Sequence, residues 1–153
     1  MIDPIVRRAV ADDAEALREL ELAARVGVAD TRGGTRWLEE HREIGDTWPA
    51  EVVERAVFVG TIPVDDVTVP IAYLIVEMRR DPMAIAHVDQ VFVEPDAREL
   101  GFGDALLAAA MDWGREHGAE LIEGHALPGD RNIKNLYERA GVVARLITTS
   151  RRL

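Results

Sequence analysis

The chain has 153 residues, of which 48% are hydrophobic and 30% charged, and this composition is typical of a single globular domain over residues 1–153. Its formal net charge of −10 disfavours nucleic acid as a partner, because an acidic surface repels the phosphate backbone. The absence of cysteine excludes disulfide bonds, thiolate metal sites and cysteine nucleophiles.

Two rare residue types exclude further function classes. Ser150 is the only serine, and its place three residues from the end of the sequence is a poor one for a hydrolase nucleophile. Lys134 is the only lysine, and no Gly-Lys pair is followed by Ser or Thr, so the P-loop pattern is missing. We therefore expect neither a serine hydrolase nor a P-loop nucleotidase.

The sequence predicts no targeting segment, membrane span or metal centre. No basic region leads into the apolar run of a signal peptide, and apolar stretches such as 71–76 are too short to cross a bilayer. The four histidines include no His-x-x-x-His pair, which disfavours a zinc site. We expect a cytoplasmic protein without a bound metal.

Hydrophobic periodicity, capping residues and Gly or Pro breaks predict alternating strands and helices. Asp12, with Glu15 in a capping box, is expected to begin the first helix, and Asp130 to cap the last. A crossover helix between strands predicts an α/β fold of the α+β kind, with a mixed, mostly antiparallel sheet flanked by helices. In chain order the elements are a strand at 5–8, a helix at 12–26, a short helix near 36–43, a helical turn at 51–56, strands at 57–62, 70–78 and 85–93, a helix at 100–117, a strand at 121–126, a helix at 133–140 and a strand at 142–149.

The turn that follows the predicted strand at 85–93 carries the pattern Arg-x-x-Gly-x-Gly. Arg98 opens it, and Gly101 and Gly103 complete it. Glycine lets the backbone approach an anion, and the unpaired N–H groups of a helix's first turn attract one, so the pattern favours a diphosphate. The alternative is a glycine-rich turn without a ligand. A dinucleotide-binding fingerprint fails, because its third glycine would fall at Leu106.

Two motifs stand in order along the chain. The first is a V-x-V-x-P strand followed by Arg-x-x-Gly-x-Gly, from Val91 to Gly103, and the second is Leu-Tyr-Glu-x-x-Gly at 136–141. With these motifs the sequence resembles the GNAT superfamily of acyl-CoA-dependent N-acyltransferases, and the order of elements is similar over nearly the whole chain. The resemblance implies a GNAT-like fold and acetyl-CoA as the acyl donor.

The resemblance also implies which residues bind the donor. Asp130 stands where the family often has asparagine, and nearby Asn132 and Asn135 are candidates to substitute for it. The backbone that would pair with the pantetheine arm is that of Val91, Phe92 and Val93. The residues that would hold the diphosphate are Arg98, Glu99, Leu100, Gly101, Phe102, Gly103 and Asp104.

Three residues are candidates for acid–base chemistry by the same resemblance. Tyr137 would protonate the leaving thiolate; its alternative role is a core aromatic on an amphipathic helix. His87 and Asp89 lie two apart on the signature strand and so on one face of it, and either would take the amine proton, directly or through water. A structural polar role is the alternative for both.

The leading hypothesis is an N-acetyltransferase that moves an acetyl group from acetyl-CoA directly to a primary amine of a small molecule or protein. The alternatives are a non-catalytic acyl-CoA-binding module with a regulatory or structural role, and a transferase of longer acyl groups or to oxygen. Twelve residues follow Gly141, room for one strand where the family usually has two. We expect a sheet one strand short, or one that a second copy completes in a homodimer.

Overall fold

Over residues 3–153, the part of the chain that the computed structural model describes, helices flank a five-stranded sheet. The strands are β1 (Ile5–Arg8), β2 (Ala56–Val64), β3 (Val67–Arg79), β4 (Ile85–Val93) and β5 (Leu121–Gly124). The helices are α1 (Ala14–Ala29), α2 (Gly34–Glu40), α3 (Trp48–Glu54), α4 (Phe102–Glu116) and α5 (Arg131–Arg139).

The strands lie in the order β1-β2-β3-β4-β5, and this order confirms the mixed, mostly antiparallel sheet. Neighbours from β1 to β4 are antiparallel, whereas β5 runs parallel to β4. A parallel neighbour needs a long crossover connection, which α4 supplies. The α/β fold with helices on both faces is therefore the one expected from the element order.

Each face of the sheet carries its own apolar core. Leu74 and Phe102 belong to the core beneath α4 and α5, which we call the α4 face. Tyr73 and Trp48 belong to the core beneath α1 and α3, the α1 face. Tyr73 and Leu74 are adjacent on β3 and point to opposite faces because side chains alternate along a strand.

The predicted cap at Asp12 is wrong, whereas the cap at Asp130 is confirmed by an N–H of α5 that donates to its side chain. Before α1 the chain makes a short 3-10 turn, and Asp13 folds back to accept the Val10 N–H at 2.8 Å. Both oxygens of Asp13 also accept hydrogen bonds from Arg7 of β1, at 2.7 and 2.8 Å. This fork fixes the first strand to the first helix, a contact that a local capping pattern does not contain.

The strand predicted at 142–149 is also wrong. Residues 142–153 are not in a strand, and the only backbone N–H bond in this segment runs from Val142 to the Tyr137 carbonyl. The side chains of Val143, Leu146 and Ile147 are at least 74% exposed. Apolar residues favour a strand only where a neighbouring strand accepts the hydrogen bonds, and none in residues 3–153 does so here. The sheet therefore ends at β5.

No helix within residues 3–153 is long and apolar enough to cross a membrane.

Candidate active site

The site is organised around the place where β4 and β5 separate. The two strands pair only from Ile85 with Leu121 to Val88 with Gly124. The register of β4 against β3 shifts at the next residue, so that Asp89 forms a β-bulge. From the bulge onwards, the edge of β4 that faces β5 has no strand partner within residues 3–153, and a wedge opens there.

The backbone of Val91 and Val93 faces this wedge. The Glu94 N–H donates to the Ile71 carbonyl of β3 at 3.0 Å, so alternation along the strand turns the N–H and C=O groups of Val93 and Val91 away from β3. The Arg98 Nε donates to the Val93 carbonyl at 3.1 Å, which agrees with this direction. Phe92 instead pairs with Tyr73 of β3, so of the three strand residues singled out from the sequence, two offer backbone groups to the wedge.

The turn before α4 forms a nest of backbone N–H groups, an arrangement that is suited to an anion. Glu99 and Gly101 both have positive φ, 69° and 90°, and this alternation turns successive N–H groups towards one side. The N–H groups of Glu99 and Gly101 donate to no acceptor within residues 3–153. The same holds for the first three residues of α4, Phe102, Gly103 and Asp104. Five donors at the positive end of a fifteen-residue helix suit a diphosphate.

The side chains around the nest differ in burial and in charge. Phe102 is buried beneath the sheet and contributes only its backbone to the nest, whereas Leu100 is exposed. Asp104 would repel an anion, but the Arg139 Nε of α5 donates to its Oδ1 at 3.1 Å and offsets the charge. Arg98 is exposed, with its guanidinium 6.0 Å from the Phe92 ring. Arg139 is a site residue that sequence reasoning missed, although it lies two residues after Tyr137 in the second motif.

Asn132 and Asn135 are exposed on α5, and neither side chain makes a hydrogen bond within residues 3–153. Both share a helical stripe with Arg139, because residues three, four and seven apart lie on one side of a helix. Arg139 faces α4, so the stripe runs along the groove between the two helices, beside the nest.

His87 is buried on the α1 face, 2% exposed, just before the wedge opens. Glu77 and Glu123 flank it on the neighbouring strands, and the ring of His125 meets its ring edge to face at 4.9 Å. Burial lowers the pKa of His87, and the nearby Arg79 and His125 lower it further, against the opposing influence of Asp89 and Glu77. A neutral imidazole at neutral pH can accept a proton.

Asp89 is held by a residue that the sequence did not point to. Its Oδ2 accepts a hydrogen bond from the Arg55 Nη2 at 2.9 Å. The same nitrogen lies 3.3 Å from Glu77, and the Arg55 Nη1 donates to Glu51 at 2.8 Å. Burial alone would lower the pKa of Arg55, but the hydrogen bonds to Glu51 and Asp89 and the adjacent charges outweigh it and raise the pKa. Arg55 stands between α3 and β2, far from the motif, and no local pattern marks it.

Tyr137 enters the site from α5 and packs on Gly124 of β5. A methyl group at Gly124 would lie 2.5 Å from the Tyr137 Cζ and closer still to its hydroxyl, so only glycine admits the ring here. The ring is 7% exposed, and its hydroxyl makes no hydrogen bond within residues 3–153. Burial, with the nearby Asp130, raises the pKa of Tyr137, so the phenol keeps its proton at neutral pH.

The segment between α1 and α3 forms a wall beside these residues. A methyl group at Gly33, just before α2, would lie 3.3 Å from Pro128 in the loop that follows β5. Glu21 of α1 anchors the far end of this wall from within the core. Its oxygens accept hydrogen bonds from the Ile44 and Gly45 N–H groups, both at 2.9 Å, and from the Trp48 Nε1 at 3.2 Å. In residues 3–153, no three His, Asp or Glu side chains converge as metal ligands.

Comparison with known proteins finds a family model that matches this sequence. The model of the Acetyltransferase (GNAT) family matches residues 14–142, which is most of the chain. No curated protein sequence matches significantly.

Solved structures share the fold at low sequence identity. A mutant of the BH1408 protein from Bacillus halodurans superposes with a TM-score of 0.81 at 18% identity, over 97% of this chain and 99% of that one. The aminoglycoside N-acetyltransferase AAC(6')-Iy in complex with CoA gives 0.68 at 19%, over 99% and 96%. Ribosomal-protein-alanine N-acetyltransferase from Brucella melitensis biovar Abortus 2308 gives 0.67 at 16%, over 99% and 100%.

Proposed function

Because the chain belongs to the GNAT acetyltransferase family, we propose that it is an N-acetyltransferase that moves the acetyl group of acetyl-CoA directly to a primary amine. One observation carries the proposal: the nest, the open edge of β4 and the Tyr137 ring border the same wedge. Acetyl-CoA carries a diphosphate, an amide-bearing arm and a thioester in this order. These three groups would match the nest, the open edge of β4 and the Tyr137 ring, respectively.

Acetyl-CoA would bind through its diphosphate and through the amide groups of its pantetheine arm. The five free N–H groups of the turn would hold the diphosphate, and Arg98 would add charge-assisted contacts through its terminal nitrogens. The pantetheine amides would pair with Val91 and with the Val93 N–H, as an added strand does. The similar fold of an aminoglycoside N-acetyltransferase solved with CoA supports this assignment.

The chemistry needs one proton acceptor and one donor. The amine nitrogen attacks the thioester carbonyl carbon, a C–N bond forms, and the C–S bond breaks as the tetrahedral intermediate collapses. His87 would take the proton that the amine loses, since its lowered pKa leaves it neutral. Tyr137 would return a proton to the leaving thiolate, since its raised pKa keeps the phenol protonated. No acyl-enzyme is expected, because the chain has no cysteine and its single serine, Ser150, is a poor candidate for a nucleophile.

Thermal unfolding with and without acetyl-CoA tests donor binding, with a CoA fragment that lacks the diphosphate as the control. Acetyl-CoA at a hundred times its Kd adds about 2.7 kcal/mol to the free energy of unfolding. For a chain of this size, each kcal/mol raises the Tm by about 2–4 °C. A rise with acetyl-CoA alone supports the diphosphate site. No rise with acetyl-CoA or with longer acyl-CoAs refutes the proposal.

A substitution separates the enzyme from a non-catalytic CoA-binding module. Tyr137→Phe removes only the hydroxyl, so acetyl-CoA binding is expected to be unchanged, while kcat falls about 10²–10⁴-fold, the usual contribution of a general acid. An amine panel followed by thiol release provides the assay, and the protein contributes no thiol of its own. Binding without turnover of any amine would favour the binding module.

The assembly belongs to the same proposal. We infer that a second copy covers the outer edge of β5, which within residues 3–153 pairs only with β4, and that the exposed Leu146 and Ile147 contribute to this contact. Light scattering of the wild type and of a Leu146→Asp, Ile147→Asp double variant tests it. A dimeric wild type and a monomeric variant are expected, and a monomeric wild type would refute the inference. The cytoplasmic location expected from the sequence stays a prediction.

A further inference from the structure

Arg55 spans three elements on the α1 face. It leaves the chain between α3 and β2, passes Glu77 of β3 and ends on Asp89 of β4. Its side chain is 22% exposed, and its other terminal nitrogen bonds Glu51 of α3. The Arg55 Nε is buried and has no hydrogen-bond partner among residues 3–153, so the residue loses the hydration of one donor to hold this position.

The Arg55 side chain ends at the β-bulge of β4. Asp89 is the unpaired residue in the register of β4 against β3, and the pairing of β4 with β5 stops one residue earlier, at Val88. A bulge re-aims the strand on either side of it. The contact with Arg55 therefore lies at the point where β4 turns away from β5, two residues after His87.

We propose that Arg55 is a positioning residue: it clamps the bulge at Asp89, fixes where the wedge opens, and leaves His87 rather than Asp89 as the proton acceptor. Protonation of the Asp89 Oδ2 would break its ion pair with a guanidinium that never gives up its proton. The ring nitrogens of His87, in contrast, make no hydrogen bond within residues 3–153 that a proton would break; His87 is paired with its neighbouring strands through its backbone. This inference rests on the proposed function for the role of His87, but the clamp itself does not.

Two single variants and their double variant test the clamp. Arg55→Lys keeps the charge and loses the fork, and Asp89→Asn keeps the shape and loses the charge. Arg115→Lys is the matched control, since Arg115 bonds Asp112 on the exposed side of α4 at 3.0 Å. For each variant, kcat, KM, the pH profile of kcat/KM and the amide NMR shifts of residues 88–91 are measured, and thermal unfolding confirms that it is folded.

If Arg55 acts through Asp89, each single variant lowers kcat about tenfold, and the double variant loses no more than the worse single, because both remove one interaction. The acidic limb of the pH profile remains in both single variants, since it belongs to His87. In Asp89→Asn it moves to lower pH, because the charge of Asp89 raises the pKa of His87. Both single variants shift the same amides at the bulge, while Arg115→Lys changes neither rate nor shifts.

Two results would overturn the proposal. A loss above 100-fold in Asp89→Asn with disappearance of the acidic limb, and little change in Arg55→Lys, would make Asp89 the base. Losses that multiply in the double variant would show that no clamp joins the two residues. If the wild type transfers no acetyl group, the proposed function fails, yet the amide shifts still decide the clamp: different amides moving in the two single variants would exclude it.

Discussion

The contact between Gly124 and Tyr137 gives a sharp test of the site, because one methyl group is enough to disturb it. In Gly124→Ala the new carbon would lie 2.5 Å from the Tyr137 Cζ, whereas carbon atoms pack at about 3.5–4.0 Å. The ring must therefore move by roughly 1 Å. Tyr137 is 7% exposed and belongs to the buried core of the α4 face together with Leu136 and Leu106, so the ring has little free space to move into.

Two measurable losses follow from this displacement. Overpacking of this kind costs about 1–3 kcal/mol of folding free energy, and each kcal/mol lowers the Tm by about 2–4 °C in a chain of this size. A catalytic group moved by about 1 Å costs on the order of 10² in rate, so kcat for acetyl transfer should fall about 100-fold. The Kd for CoA should be unchanged, since the nest lies on another element.

The assay combines thermal unfolding, thiol release and calorimetry on Gly124→Ala, with Gly27→Ala as the matched control. Gly27 lies within α1 and has open space where its methyl group would stand. The control should gain about 0.5–1 kcal/mol of stability and keep its kcat. A Gly124→Ala variant with wild-type Tm and kcat would refute the close contact. One with a reduced Tm and an unchanged kcat would refute the role of the Tyr137 hydroxyl.

Three further predictions concern stability. The pKa of His87 is lower in the folded protein than in the unfolded chain, so the unfolded chain binds a proton first as the pH falls below about 6.5. The Tm should therefore drop between pH 8 and pH 5.5 more in the wild type than in His87→Gln, and equal drops would contradict the burial of a neutral ring. Hydrogen bonds from Arg7 lower the pKa of Asp13, so the stability that this pair adds is present above about pH 4 and lost below it; Asp13→Asn should cost about 1–3 kcal/mol at pH 7 by chemical denaturation, and an unchanged midpoint would show that the pair contributes nothing. Glu21→Gln sets an amide NH₂ against N–H donors and should cost about 1–3 kcal/mol, and a smaller loss would mean that the wall segment rearranges to satisfy them.

The sequence predicts those parts of the molecule that depend on neighbours along the chain. The bounds of β1 and β4 are as expected, because turn residues bracket β4 and the apolar pattern fills it. The shape of the glycine-rich turn before α4 follows in the same way, since positive φ and helix termini are local properties; diphosphate binding there stays a prediction. The predicted strand at 142–149 fails because a strand needs a partner, which is not local information.

The β-bulge at Asp89 is marked in the sequence by a break in the alternation of apolar residues, which the prediction of the strand did not take into account. Apolar residues follow each other at Ala86 and Val88 and then at Val91 and Val93, so the period of two slips by one residue at Asp89 and Gln90. No comparable feature of the sequence marks Arg55 as the residue that contacts this bulge. Arg55 reaches it across 34 residues of sequence, and only the folded sheet brings the two together.

The shortness of β5 has a consequence for local unfolding of the structure. Four residue pairs tie β5 to the sheet, against nine between β2 and β3, so the side of the wedge that carries Tyr137 should open at a lower free energy than the central strands. Amide hydrogens of β5 and α5 should then exchange with solvent before those of β2 and β3. A ligand that touches both β4 and α5 would bridge the weak seam and slow that exchange, acting as a removable structural element of the fold.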